Sequence, residues 1–181
     1  MTDSIVSPGQ SPLTEEFARG WAAQFLDAWN SHDPQRLADL SAPDVRWEDP
    51  FIHPSGVLLG RGELVRWLTS VWRAMPDLRF RLIGDPFISL DRKQLGAAWA
   101  GTARFTGPLD PPGFAPTGSI IEMTGFDVHE FRDGLVSHVV TVTDVTAMAR
   151  QIGAAPPPDS VGEKVGVAVQ RLMAKRLARK R

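Results

Sequence analysis

The chain has 181 residues, 43% of them hydrophobic and 23% charged, with a net charge of −1 and neither cysteine nor tyrosine. That length suits one packed domain, and the balance excludes a disordered, collagen-like or coiled-coil chain. Disulfides, thiolate metal sites, cysteine nucleophiles and any mechanism that needs a phenol are excluded by the missing residue types.

Residues 1–13 are rich in Ser, Pro and Gly and read as a loose arm, without the basic start and apolar stretch of a secretory signal. From Thr14, which suits an N-cap, Phe17, Trp21, Phe25 and Trp29 recur every four residues and predict a helix with a broad aromatic face. Asn30-Ser-His-Asp-Pro34 ends it, and Asp33-Pro34 starts a short second helix to Leu40. Val45–Asp49 reads as a strand stopped by Pro50, and residues 50–60 as a Pro/Gly loop. A third helix is expected from Gly62 to Met75, with Leu64, Trp67, Leu68, Val71 and Trp72 on or beside its apolar stripe.

The following stretch is β-rich. Leu78–Ile83, Phe87–Leu90, Gln94–Phe105, Ser119–Phe131 and Leu135–Thr143 alternate as strands do, and Gly134 suits a hairpin turn. The loop 107–118 holds four prolines and three glycines and is expected to border a site. Asp144–Gln151 is a last short helix, and Ala154–Pro158 a stiff linker. Residues 159–181 form a basic amphipathic helix with seven Lys and Arg against Asp159 and Glu163. The tail is thus +5 and the rest of the chain −6, so an anionic partner is expected at the tail. No apolar run reaches the roughly 18 residues of a membrane span, and a cytoplasmic protein is expected.

Five segments look familiar together: Ala28–Asp33, Val45–Pro50, Met75–Phe80, Gly125–Gly134 and Asp144–Gly153. In this order the chain resembles the SnoaL-like branch of the NTF2-like superfamily over residues 14–153. The resemblance implies an α+β cone in which a curved antiparallel sheet and about three N-terminal helices enclose an apolar pocket. It also implies a homodimer through the sheet and a hydrophobic small-molecule ligand. Glu48-Asp49-Pro50 matches the segment that carries the base of ketosteroid isomerases, and Asp127-Val-His-Glu-Phe131 the segment that carries their neutral acid. Phe25 stands where those isomerases have a tyrosine, and Val139 and Thr141 stand where SnoaL-type cyclases have a His-x-Asp pair. Limonene-type epoxide hydrolases likewise need an aspartate at the position of Thr141.

Asp49 and Asp127 are therefore the candidate base and acid of a cofactor-independent proton transfer on a polycyclic ketone, by isomerisation or aldol cyclisation. His129, two residues past Asp127 on the same strand face, is expected to titrate near neutrality and to serve as base or donor. Trp21, Phe25, His53, Trp67, Trp99, Val139 and Thr141 are the candidate substrate contacts. Nothing has metal-ligand or phosphate-loop spacing, so no cofactor is expected. Two plainer readings compete: the tryptophans are core, and the domain is a binding or dimerisation module without catalysis.

Overall fold

The computed structural model describes residues 12–52 and 54–178. Most of the presumed arm, and the basic residues after Ala178, lie outside them. Leu13, at the end of that arm, is buried, and its N–H donates to the Arg92 carbonyl at 2.9 Å. The packed unit therefore starts before the first helix.

Helix α1 (Glu15–Ser31) begins where the Thr14 hydroxyl accepts the Phe17 N–H at 3.1 Å. It ends at His32, which turns left-handed (φ 58°), its ring Nε2 lying 2.7 Å from the Leu78 carbonyl. Asp33 caps α2 (Pro34–Asp39) by accepting the Gln35 N–H. There follow β1 (Ser41–Glu48), β2 (Val57–Leu59), α3 (Gly60–Ala74), β3 (Arg79–Leu82), β4 (Phe87–Ile88) and β5 (Gln94–Arg104). Strands β6 (Ile120–Arg132) and β7 (Leu135–Thr143) complete the sheet, and α4 (Val145–Gln151) and α5 (Val161–Ala178) close the described chain.

The curved sheet has the order β2-β1-β7-β6-β5-β3, with β4 also paired to β5. All pairs are antiparallel except β1 with β7. The β6–β7 hairpin turns on Asp133 (φ 53°) and Gly134 (φ 79°), both left-handed as a two-residue turn of this hand requires. Two expectations need correction. The stretch 50–60 is not all loop, because Val57–Leu59 pairs with Arg46–Glu48. The sheet is also not wholly antiparallel, since β1 enters beside β7 in parallel.

Helices α1 and α3 lie over the inner face of the sheet. Helix α1 buries Ala18, Trp21, Ala22, Phe25 and Ala28, and α3 buries Leu64, Leu68, Val71 and Trp72. These spacings of three and four residues make the apolar stripe that drives the packing. Truncating the fully buried Leu64 or Leu68 to alanine would cost about 2–5 kcal/mol. Helix α5 differs, for it buries no residue. Its links to the body include an Arg150–Glu163 ion pair at 3.3 Å. No helix among the described residues is long and apolar enough to cross a membrane.

Candidate functional site

Between the sheet and helices α1 and α3 lies a cavity of about 90 Å³. Its wall is a run of touching rings. Trp21 stacks on Phe25 at 4.6 Å, Phe25 on Trp47 at 5.9 Å, and Trp29 meets Trp67 and Phe80 edge-on at 6.0 and 5.2 Å. Asn30 fixes the far end of this wall. Its side chain donates to the Phe80 carbonyl at 2.9 Å and accepts the Phe80 N–H at 2.8 Å. The Arg79 guanidinium also donates to the Asn30 carbonyl.

The polar groups enter from the sheet. Val45, Trp47 and Asp49 alternate inward along β1 and beyond its end, leaving Asp49 only 8% exposed. Its Oδ1 accepts the Phe51 N–H at 2.8 Å, a local turn that fixes the carboxyl direction. On β6 the inward set is Met123, Gly125, Asp127, His129 and Phe131; Asp127 lies between Ala97 on β5 and Thr141 on β7. Asp49, Asp127, His129 and Thr141 all border the cavity.

Burial governs their acid–base state. It raises Asp49 to about 7, against the lowering pull of the Phe51 N–H and with a smaller push from the Asp127 charge. Burial also raises Asp127 to about 6, opposed by Trp99 and Thr141. Trp99 Nε1 nevertheless completes no hydrogen bond of normal geometry, and Asp127 Oδ1 has no partner. The carboxyls therefore titrate as a coupled buried pair near neutrality. His129 overturns its expectation. It is 1% exposed between Trp21 and Phe25, and burial pushes its pKa down to about 3. It is a neutral imidazole at any ordinary pH, not a group titrating near neutrality.

Trp21, Phe25, Trp67, Trp99 and Thr141 line the cavity. Val139 does not border it; it lies fully buried in the core. His53 lies outside the described residues. Trp29, Trp47, Phe80, Met123 and Leu109 line the cavity too, although the sequence did not single them out as contacts. Helical spacing placed Trp29 on the right face; Phe80 depends on a contact from Asn30, fifty positions earlier. Leu109 shows that the Pro-rich loop does reach the site. Among the described residues no cluster of His, Asp or Glu is arranged to hold a metal ion.

The model of the SnoaL-like domain family matches residues 22–139. No curated protein matches the sequence. Solved structures share the fold. AclR of Streptomyces galilaeus, a candidate hydroxylase, is 16% identical with a TM-score of 0.67, over 90% of this chain and 98% of its own. A candidate SnoaL-like polyketide cyclase of Jannaschia sp. CCS1 is 17% identical with a TM-score of 0.65, over 82% of this chain and 100% of its own. IdmH of Streptomyces antibioticus, a candidate polyketide cyclase, is 23% identical with a TM-score of 0.61, over 75% of this chain and 98% of its own.

Proposed function

The chain belongs to the SnoaL-like domain family, and from that premise we propose that it is a cofactor-independent proton-transfer enzyme acting on a hydrophobic ketone. The observation that carries this reading is the pair of buried carboxyls, Asp49 and Asp127, bordering one aromatic cavity. Asp49, ionised, removes the proton α to the carbonyl, and its C–H electron pair moves into the enolate. Asp127, protonated, donates to the enolate oxygen. Near neutrality the pair shares one proton, and the reaction draws on the arrangement in which that proton sits on Asp127, although burial raises Asp49 further than Asp127. Thr141 and the neutral His129 orient the substrate, and the aromatic wall holds its apolar part. Isomerisation and intramolecular aldol cyclisation both begin with this step.

Size limits what enters. An apolar protein cavity that holds benzene measures about 150 Å³, so about 90 Å³ is too small for a whole ring. A polycyclic substrate presents its reacting end, or the wall moves. The same observation favours a second reading, a binding module without turnover.

Exchange of α-protons for deuterium in a panel of cyclic ketones, followed by NMR, tests the first reading. Exchange that Asp49→Asn and Asp127→Asn each abolish supports it; exchange unchanged in both variants rejects the assigned roles. We further propose a homodimer through the outer sheet face, supported by the exposed Phe87 and Val142 there. The basic tail would contact an anionic partner, a reading supported by charge and by the exposure of α5. Sedimentation of the whole chain and of a form lacking 159–181 separates the two contacts.

A further inference from the structure

Adjoining positions of the inner sheet face hold buried polar atoms without partners: Trp99 Nε1, Asp127 Oδ1 and both nitrogens of His129. Trp99 pairs with Gly125 across β5 and β6, and Asp127 follows two residues later on the same face. Each unpaired buried group destabilises the fold. A cluster of them beside a cavity marks where a ligand's polar atom belongs.

What Trp99 lies on sets its position. A Cβ added at Gly125 would stand 2.2 Å from Trp99 Cζ2 and 2.7 Å from Cε2, the carbon bonded to the indole nitrogen. The six-membered ring of the indole therefore crosses β6 where the strand has no side chain. Phe80 meets the indole edge-on at 5.2 Å, and Gly101 gives Phe80 its room, since a Cβ there would lie 2.7 Å from the Phe80 ring. Held on two sides, the indole keeps its N–H near the acid.

We infer that Trp99 is a hydrogen-bond donor of this site, positioned by Gly125, and that with Asp127, ionised once its proton has passed to the ligand or to water, it clamps a ligand oxygen that both accepts and donates, a hydroxyl or an enol. An indole N–H only donates, and an ionised carboxylate only accepts. One oxygen that satisfies both must carry a lone pair and a proton. A hydrocarbon satisfies neither group, and an ether oxygen satisfies only Trp99. The Trp99 indole already lies near enough to the acid to lower the Asp127 carboxyl against the burial that raises it, but without a hydrogen bond of normal geometry, and an oxygen between them would complete both groups. The inference deepens the proton-transfer reading, on which it rests for placing the ligand oxygen beside the acid pair.

Phenol and toluene are suitable probes, alike in shape and differing in the hydroxyl. Both exceed the resting cavity, so the cost of moving the wall largely cancels in their ratio. Titrated calorimetrically into the whole chain above neutral pH, phenol is expected to bind about tenfold tighter than toluene. Trp99→Phe, which keeps a ring in place and leaves Asp127 to accept the hydroxyl, is expected to narrow the gap several-fold. Gly125→Ala, which displaces the indole, is expected to narrow the gap. The indole N–H resonance of Trp99, identified by its loss in Trp99→Phe, is expected to shift with phenol and not with toluene. Should Gly125→Ala fail to fold, Trp99→Phe and this resonance carry the test. Equal affinities in the unmodified chain, an unchanged ratio in Trp99→Phe, or no binding of either probe overturns the clamp. Failure of the enzymatic reading looks different: α-proton exchange survives in both Asn variants, while the phenol-to-toluene ratio still judges Trp99.

Discussion

The two faces of strand β6 hold polar side chains in opposite circumstances. Inward, Asp127 and His129 are buried, and neither His129 nitrogen nor Asp127 Oδ1 has a partner. Outward, Glu130 accepts from Gln94 at 2.7 Å and faces His138, which lies 2.9 Å from Glu48; Arg46 donates to that same Glu48 carboxyl at 2.9 Å. The acid–base consequences also diverge. Burial raises Asp49 and Asp127, whereas hydrogen bonds from Arg46 and His138 hold Glu48 below the usual carboxylate range. Satisfied polarity in water needs no ligand to explain it. Unsatisfied polarity beside a cavity does, because the fold bears its cost continuously.

The largest expected effect tests that contrast directly. Asp49→Asn or Asp127→Asn should lower proton transfer by about 10²–10⁴-fold, while Glu48→Gln leaves it unchanged. Steady-state rates on the best exchanging ketone measure this. The pH–rate profile should be a bell, falling below about 6 for want of a base and above about 7 for want of a protonated donor.

Stability comes next. Asp49 has a folded pKa of about 7 against 3.8 for a free carboxyl. Its favourable contribution is fully present below the unfolded value and is lost as pH rises through the folded one. Asp49→Asn should therefore stabilise the chain above pH 7, by roughly 2–4 kcal/mol in urea unfolding, and the gain should shrink toward zero in acid.

His129 shifts the other way. With a folded pKa of about 3, its contribution is present above the unfolded value of 6.5 and is lost as pH falls toward 3. His129→Leu, of similar size and without polar atoms, should stabilise the fold by about 1–2 kcal/mol near neutrality and by more in acid. A loss of stability instead would mean that the imidazole is paired. The smallest effect belongs to the outer face, where Glu48→Gln should leave the thermal midpoint within measurement error, as expected of an exposed network.

Local chemistry made much of this legible in the sequence. The Thr14 and Asp33 caps, the aromatic face of α1 and the set of β6 residues sharing one face all follow from rules that span a few positions. What escaped has distant causes. Strand β2 is three residues long and exists because β1 lies beside it. The Asn30 clamp on Phe80 joins residues fifty apart. The pairing of Trp99 with Gly125 depends on strand register, which a glycine in the sequence does not announce. Cavity volume is harder still, being the small remainder after many rings choose their rotamers.

Helix α5 carries a consequence for how the molecule melts. Its 18 residues include Gly162 and Gly166, and none of its side chains is buried. A helix of that length with so little tertiary support is marginal and unwinds gradually on warming. Far-ultraviolet dichroism should then drift well before the tryptophan signal of the body collapses, and the two traces should coincide once residues 159–181 are removed.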